Sequence, residues 1–596
     1  MSGFGVKRMI YGKAVSGEVP DKPGSASTTS AIGKVPLFGA VALVIALAFT
    51  VAAASGIAAW LALINPGTRL NLGSLKDVLD IAKLALAVSG GMGAAGALVV
   101  AYRKQLATEA EHQRNERAEQ RDLYRGFTER FHQAVLLIGN SDSAAVRLSG
   151  IYSLTDLAND WPEGRQRCID VLCAYIRLPF SPESCPPGES EVRRTVFTVI
   201  HDHLIEGGGR SWDGCAFDLR GATIEGADFS GLSLEKSTLN LSGIRLIDGD
   251  LSFEGTLMQG GSIDLSHGSF STGRLILDGL FIRFGRISFA GAVFAGTPLT
   301  WEEGAIHRGS AIFDQSIFEG SQIKINRVSI FASLENPEHA PLQFAGATIK
   351  SGEVLLGGIN YLHDPAYEKF PIETGGQLLR GAPRGPVWVN FAELNLEGGI
   401  LSFANARVSG GTLSLPNANL SGGELSFESA RFKNSEVNLE GTCLQGSSLN
   451  FRRSHFTAMN GESLSNELRE WVAELARRPV AERDMVWETR PYAALQFLDS
   501  EFKSGNLILE YARLVGTLID LVGVDFRGGI ILMKDMDCAS AVVNLWNSRF
   551  DYEETTEILI SDYARLTLMY SNYGGIPIDQ IASRPGIKTL EVSSSD

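Results

Sequence analysis

The sequence has one local cluster of metal-ligand side chains, His201-Asp202-His203. The surrounding residues, VFTVIHDHLIEG, have the spacing of an amphipathic helix, in which side chains at i and i+2 point about 200° apart. Two imidazoles placed in this way cannot hold one ion between them. We therefore expect both histidines to be structural, and we predict no metal site.

Nucleophilic and acid–base chemistry is also poorly represented. Cys173 lies among apolar residues at helical spacing, without the His and Asn context of a cysteine nucleophile, so we interpret it as a core residue. The sequence contains no G-x-S-x-G motif, no phosphate-binding glycine loop and no H-E-x-x-H motif. Because catalysis needs converging titratable groups, we predict no enzymatic activity, no catalytic residue and no cofactor. A β-helical carbohydrate-active enzyme is the enzymatic alternative.

Composition and charge narrow the remaining classes of function. The chain has 596 residues and a net charge of −15, with the acidic surplus in residues 201–596. Such a balance disfavours direct nucleic-acid binding, which needs clustered Lys and Arg. The six cysteines form no C-x-x-C pair and are expected to be reduced. The 65 glycines, without a collagen triplet, indicate many tight turns and therefore a repeat.

Two apolar runs, 35–64 and 84–102, are each long enough to cross a bilayer, which takes about 20 residues. We predict a cytoplasmic tail over 1–34 and a transmembrane helical hairpin over 35–102; a signal peptide and a buried helix are the alternatives. Flanking basic residues favour cytoplasmic ends. Glycines in the second run suit close packing against the first run or a second copy of the chain, which leaves a homo-oligomer open. The flanking cations and these glycines are Lys7, Arg8, Lys13, Lys22, Lys34, Arg103, Lys104, Gly90, Gly91, Gly93 and Gly96.

Residues 103–210 are expected to form a helical linker and an N-terminal cap. Apolar residues recur at steps of three and four in AVRLSGIYSLTDLAND (145–160) and RQRCIDVLCAYIRLPF (165–180). These stretches resemble the helical segment upstream of pentapeptide repeats in a family of bacterial membrane proteins. The likeness rests on Arg147, Gly150, Tyr152 and the run Cys173-Ala174-Tyr175. It implies a bacterial plasma-membrane protein.

Pentapeptide units follow at ATIEG (222–226) and ADFSG (227–231), where a small residue precedes a large apolar one by two positions. This pattern resembles the pentapeptide-repeat family, which implies a right-handed, four-sided β-solenoid. We therefore predict a mainly β protein whose solenoid occupies 211–550, with a C-terminal cap at 551–596.

Beyond Leu239 the period becomes twelve residues, and the unit reads large, x, large, x, x, small, x, large, x, Gly, Gly, x. Because strands turn alternate side chains inward, we expect two units, about 24 residues, to form one rectangular coil with identical positions stacked. Phe427 is predicted to lie between Phe403 and Phe451. A globular β-sandwich is the alternative, but it has no reason to keep a twelve-residue spacing.

Three insertions interrupt the period, at about 332–338, 358–386 and 457–494. All three fall in even-numbered units, so we expect them to emerge on one side of the rod and to mark its binding face. Tyr361, Tyr367, Phe370 and Trp471 are the candidate partner-binding residues, since aromatic anchors dominate interfaces. The alternative is that the insertions pack against the rod's own wall.

These features predict a non-enzymatic, multi-pass membrane protein whose solenoid lies in the cytoplasm. The expected role is a scaffold or sensor that binds a protein partner through the solenoid surface and its insertions. One alternative comes from the family resemblance: some pentapeptide-repeat proteins are acidic rods that mimic DNA and act on DNA-binding enzymes such as gyrase.

Overall fold

The structure is a computed structural model in which the chain divides into two compact units, Met1–Gly126 and Phe127–Asp596. It describes residues 46–47, 49–50, 53–54, 56–57, 60–61, 75–205, 210–331, 340–362, 387–433, 435–457, 493–515, 517–533, 536–539, 541–545, 548–550, 556–560, 566–570 and 587–591.

Among these residues, ten positions between 46 and 61 are helical, and four longer α-helices and one short 3₁₀ helix follow before the β-structure. Helix α1 spans Leu75–Ile138, α2 Ala144–Asp160, α3 Arg165–Arg177 and α4 Glu189–Asp202, and the 3₁₀ helix spans Pro162–Gly164. The predicted run 84–102 lies within α1, whereas most of 35–64 lies outside the described residues. In the part of the chain that the structure describes, no helix combines the length and apolar composition needed to cross a membrane. The transmembrane hairpin therefore stays a prediction.

The second unit contains two parallel β-sheets, which together form a solenoid of about 10 turns. The first sheet has 23 described strands: β1 Ala216–Asp218, β4 Ser233–Leu234, β5 Thr238–Asn240, β8 Leu257–Asp264, β11 Phe281–Ser288, β14 Ala305–Ile306, β15 Ser310–Ile312, β18 Ser329–Phe331, β19 Leu342–Gln343, β22 Asn360–Leu362, β23 Val387–Asn390, β26 Arg407–Ser409, β27 Thr412–Ser414, β30 Arg431–Lys433, β31 Glu436–Asn438, β33 His455–Thr457, β34 Ala493–Gln496, β36 Arg513–Val515, β37 Leu518–Asp520, β40 Asp537–Ala539, β41 Ala541–Leu545, β44 Leu566–Tyr570 and β45 Ile587–Glu591.

The second sheet has 22 described strands: β2 Thr223–Ile224, β3 Ala227–Asp228, β6 Arg245–Leu246, β7 Asp250–Ser252, β9 Ser269–Phe270, β10 Arg274–Ile276, β12 Val293–Ala295, β13 Leu299–Glu302, β16 Ile317–Glu319, β17 Ser321–Asn326, β20 Thr348–Ile349, β21 Gly352–Leu355, β24 Asn395–Leu396, β25 Ile400–Ser402, β28 Asn419–Leu420, β29 Glu424–Ser426, β32 Cys443–Asn450, β35 Glu501–Ile508, β38 Asp525–Phe526, β39 Gly529–Met533, β42 Arg549–Phe550 and β43 Thr556–Ile560.

Successive coils keep a constant register in the regular part of the solenoid. Leu251 pairs with Leu275, and Leu275 pairs in turn with Leu299. The 24-residue coil predicted from the twelve-residue period is thus confirmed. Each coil places four apolar strand positions in stacked columns, two on each sheet. Every twelve-residue unit therefore contains one connection between two strands of the same sheet and one connection from one sheet to the other.

A left-handed turn residue makes the step between sheets. Asn405 adopts φ 60°, and Asn417, one unit later, adopts φ 56°. A polar side chain just before the turn can hold it: ahead of Glu393, whose φ is 59°, the Oδ1 of Asn390 accepts the backbone N–H of Ala392 at 3.0 Å. Such a bond offsets the cost of a positive φ at a residue other than glycine.

Glycine is required at one position of the step within a sheet. Gly423 has φ 77°, and a Cβ atom there would overlap the carbonyl oxygen of Gly399 in the preceding coil. The coils approach too closely for any side chain. This explains the Gly-Gly pair that closes many units of the sequence.

The core consists of stacked columns of identical unit positions. Phe427 lies between Phe403 and Phe451, with ring centroids 5.0 and 4.7 Å away, which confirms the predicted stacking. All three rings are buried. Parallel stacked rings at this spacing add attraction beyond the area they bury, so the columns hold neighbouring coils in register.

The helical region covers the open edge of the first coil. The side-chain amide of Gln166 donates to the carbonyl oxygen of Ala216 and accepts its N–H, at 2.7 and 3.0 Å. Arg193 donates to the carbonyl oxygen of Thr223 at 3.1 Å, and the Leu204 carbonyl oxygen accepts the Ser233 N–H at 2.9 Å. Edge groups that would otherwise invite strand addition are therefore satisfied.

The solenoid continues past residue 550, where the sequence pattern predicts a cap. Ile531 pairs with Ile558 in the second sheet, and Val543 pairs with Leu568 in the first. The ladders therefore extend beyond the predicted boundary. The sequence spacing there departs from the regular period, which hides the repeat although the pairing persists.

Candidate functional site

The three insertions attach to the solenoid at the same step of the coil. They fall between β18 and β19, between β22 and β23, and between β33 and β34. In coils without an insertion, this step is either a continuous strand, as in β8 and β11, or a short break between two strands, as between β26 and β27. We call it the insertion step. The strand pairing on either side places the extra chain where the sequence spacing locates it.

All three insertions therefore leave from the first sheet, on one side of the rod, as the even-numbered units predict. The register continues across each of them: Ala311 pairs with Leu342, Leu342 with Val389, and Val437 with Leu495. The solenoid carries these segments without any change in the order of its strands.

The structure corrects the position of one predicted site residue. Tyr361 lies in β22, and its backbone pairs with Ile330 of the preceding coil and Val408 of the next. The backbone of Tyr361 therefore continues the strand ladder, and the second insertion begins after Leu362. Tyr361 completes the eighth position of its unit, which the sequence reading assigned to the insertion beginning at 358.

The other three candidate residues, Tyr367, Phe370 and Trp471, lie outside the described residues. Their roles stay predictions. The binding properties of the first sheet's outer face are therefore assessed from the strand residues that the structure describes.

The outer face of the first sheet carries exposed cations in register. Arg407 pairs with Arg431, and Arg431 pairs with His455, while Lys433 lies two positions along the same strand. Arg407, Arg431 and Lys433 are exposed. Adjacent parallel strands lie about 4.8 Å apart, so this arrangement places like charges in neighbouring coils.

A second group of cations lies earlier on the same face. Arg283, Arg286 and Arg308 are exposed, together with Phe281 and Phe284, which are 38% and 39% exposed. The guanidinium carbon of Arg283 lies 6.0 Å from the ring centroid of Phe284. We call the six cations of the two groups the basic ladder: Arg283, Arg286, Arg308, Arg407, Arg431 and Lys433.

Charges on the second sheet are arranged differently. Arg274 forms two hydrogen bonds to Asp250 of the preceding coil, at 3.0 and 2.6 Å. Arg527 lies 3.0 Å from both Glu501 and Asp525. Charges on this sheet therefore pair between and within coils, whereas no ion pair joins the basic ladder to any carboxylate in the described ranges.

Part of the first sheet's outer face is buried. Glu436 and Asn438 flank the core residue Val437, yet both are buried, and Thr412 donates to Glu436 at 3.5 Å. Further along, Asn544 donates to Asp520 at 3.0 Å, again with both side chains buried. These outward positions are therefore not part of the exposed surface of the first sheet.

The histidine cluster is structural. His201 Nε2 lies 3.0 Å from the carbonyl oxygen of Ser230, which belongs to the first coil. His203 stacks on Trp212 with centroids 4.1 Å apart and contacts the amide nitrogen of Asn159 at 3.0 Å. The two rings thus serve different contacts, and the described residues contain no group of three metal-ligand side chains.

The thiols of helix α3 are not suited to nucleophilic chemistry. Burial raises the pKa of Cys173 to about 12 and that of Cys168 to about 11. Both stay protonated at neutral pH, and the thiolate is the reactive form. This agrees with the interpretation of Cys173 as a core residue.

The residues that carry the family likeness hold the helices together. Arg147 lies 3.2 Å from Glu189, which also accepts a hydrogen bond from the Tyr175 hydroxyl at 2.7 Å. Gly150 packs against Ile138, where a Cβ atom would lie only 2.7 Å away. Their contacts explain why this combination specifies the helical region, independently of what the protein binds.

No protein-family model, curated protein or solved structure matches the chain. The pentapeptide-repeat resemblance therefore rests on the residues quoted for it.

The basic ladder was not apparent from the sequence, in which these charges are scattered singly. One column of cationic positions emerges when the even-numbered units are aligned: the seventh position holds the ladder residues Arg407 and Arg431, followed by His455 and Arg513. Only the register between coils brings these positions next to one another.

Proposed function

We propose that the protein is a non-enzymatic scaffold or sensor that holds a cytoplasmic protein partner at the bacterial plasma membrane. The partner binds through the outer face of the first sheet and the insertions. The observation that carries this proposal is the attachment of all three insertions at one step of one sheet. Insertions on one face of a repeat protein commonly form its binding surface.

The family assignment belongs to the same proposal. A right-handed, rectangular coil of the pentapeptide type accounts for the ATIEG and ADFSG units and for the four stacked strand positions of every coil. A rigid rod of this kind suits a scaffold because a mutation or insertion on its surface leaves the neighbouring coils in place.

Deletion of the third insertion tests partner binding. Residues 458–493 would be replaced by Gly-Gly, which restores the spacing of the insertion step found at Gly410-Gly411. Full-length protein and the deletion variant would be used to capture partners from native membranes, with a variant of scrambled 458–493 as the control for length and composition. Loss of a captured protein with both changes supports the proposal. Identical capture by all three proteins would remove this insertion from the binding face.

The membrane arrangement follows from the flanking charges and is tested separately. Ser74→Cys lies in the predicted outward loop and Ser595→Cys near the cytoplasmic end, each in a background without the native cysteines. A membrane-impermeant thiol reagent should label the first in intact cells and spare the second. Labelling of Ser595→Cys alone would reverse the orientation.

A DNA mimic is the second candidate, favoured by the acidic surplus of residues 201–596. The basic ladder argues against it, since a mimic of the phosphate backbone needs continuous negative charge. Gyrase inhibition or drug protection by the full chain would support the mimic, and inactivity in both assays would leave the scaffold.

A further inference from the structure

The basic ladder is unusual in a protein of net charge −15. Its six cations lie on the outer face of the first sheet, and all are exposed. Among the residues that the structure describes, Glu436 is the sole carboxylate between Phe281 and Val515 on this face, and it is buried. The rod thus carries one basic surface although its net charge is negative.

Folding does not account for this surface. Like charges on directly paired strand positions oppose each other, as Arg407 and Arg431 do. The second sheet shows that the same repeat can pair its charges, since Arg274 and Asp250 occupy paired positions in neighbouring coils. A ladder of one sign is therefore kept at some cost to stability, which is expected of a surface that meets an anionic partner.

We propose that the basic ladder binds an acidic, extended segment of the partner protein. This inference rests on the proposed scaffold function and specifies the chemistry of the partner. From Arg283 to Lys433 the ladder crosses five intervals between coils, about 24 Å, which an extended segment of roughly eight residues spans. The exposed rings of Phe281 and Phe284 offer apolar contacts beside the cations.

The narrowness of the basic ladder favours a peptide segment over a membrane surface. A flat anionic bilayer would face the acidic remainder of the rod as well as the ladder, and like charges repel there. An extended peptide can follow the ladder alone. Duplex nucleic acid would carry its charge over the acidic remainder of the rod as well, where like charges repel.

The test uses the full-length chain in nanodiscs of uncharged lipid and a fluorescein-labelled deca-glutamate peptide as the probe. Fluorescence anisotropy gives the Kd for the wild type, for R407E/R431E and for K324E/K350E. The last variant makes the same charge change on the second sheet. We expect the first double variant to weaken binding about tenfold or more, the control to stay within about twofold, and added salt to weaken binding.

The milder variant R407Q/R431Q, with an unchanged melting curve, guards against misfolding and should show an intermediate loss. Equal Kd values for the wild type and R407E/R431E would overturn the proposal. So would ladder-dependent binding to phosphatidylserine vesicles or to duplex DNA that is tighter than binding to the peptide. If partner capture from membranes persists while the peptide fails to bind, the ladder inference falls and the scaffold function stands.

Discussion

The two sheets of the solenoid are built from the same unit, with the same register and the same kinds of buried columns, yet their outer faces differ. The second sheet pairs its charges, as Arg527 does with Glu501 and Asp525. The first sheet carries the basic ladder and all three insertion steps. The inward positions therefore determine the fold, whereas the outward positions can differ between the two sheets without changing it.

The largest expected effect comes from the core that both sheets share. Replacing Phe427 with alanine removes a ring stacked on both sides and should cost about 3 to 5 kcal/mol locally. Strands of both sheets near this coil should become accessible to protease together. Phe427→Leu is the control, because Leu415 and Leu439 fill a comparable column, and it should cost much less. A melting profile and digestion pattern of the alanine variant identical to wild type would contradict the assigned register.

A smaller effect is expected at the edge where the helices meet the second sheet. Arg193 is buried and donates to the carbonyl oxygens of Ile176 and Thr223. Arg193→Ala should cost about 1.5 to 3 kcal/mol because charged hydrogen bonds are lost and the carbonyls are left without donors. Hydrogen exchange should rise first in the coil that contains Thr223. The exposed neighbour Arg194→Ala provides the control, and equal exchange in both variants would argue against capping.

Two matched surface variants test whether the charges on each sheet contribute to stability. Arg274→Thr on the second sheet breaks the pair with Asp250 and should lower the melting midpoint. Arg431→Thr on the first sheet relieves repulsion from Arg407 and should leave the midpoint unchanged or raise it, each shift being no more than about 2 °C. Loss of stability in Arg431→Thr equal to that in Arg274→Thr would mean that the ladder contributes to folding.

The smallest effect concerns Asp314, at a turn that links the first sheet to the second. Burial raises the pKa of this carboxyl, although the Ala345 N–H donates to it at 2.8 Å. Because the folded pKa exceeds the unfolded value of about 3.9, the ionised form costs stability at neutral pH, and this cost is relieved as the pH falls. Asp314→Asn keeps an acceptor and should be slightly stabilising at pH 7 but not below about pH 4. An equal difference at both pH values would contradict this account.

Much of the solenoid could be predicted because its large apolar residues serve mainly to fill the stacked columns of the core. A column needs Phe403, Phe427 and Phe451 at equal intervals, so the sequence itself reports the register. The left-handed turn position is harder to recognise because His267, Gln315 and Asn405 all occupy it. Backbone hydrogen bonds and the preceding polar residue fix the turn there. The turn therefore cannot be recognised from the type of residue at this position.

The candidate site was less predictable for a different reason. The side of the rod follows from the parity of the insertions, but the basic ladder depends on residues such as Arg308 and Arg407, far apart in sequence. The strand that contains Tyr361 is hard to recognise from sequence, since one strand between two interruptions has no repeat to compare with. The strands after residue 550 were missed in the same way, because their spacing varies while their pairing does not.

The aromatic column through Phe289, Phe313, Phe344 and Phe391 has centroid distances of 4.7, 4.8 and 4.7 Å. One insertion interrupts the chain between Phe313 and Phe344, and another between Phe344 and Phe391. The core is thus indifferent to the length of chain that leaves an insertion step. Segments at these steps can be gained, lost or exchanged as cassettes over evolution, without a new folding problem at each change. A foreign peptide spliced between Gly410 and Gly411 should be displayed by the rod in the same way.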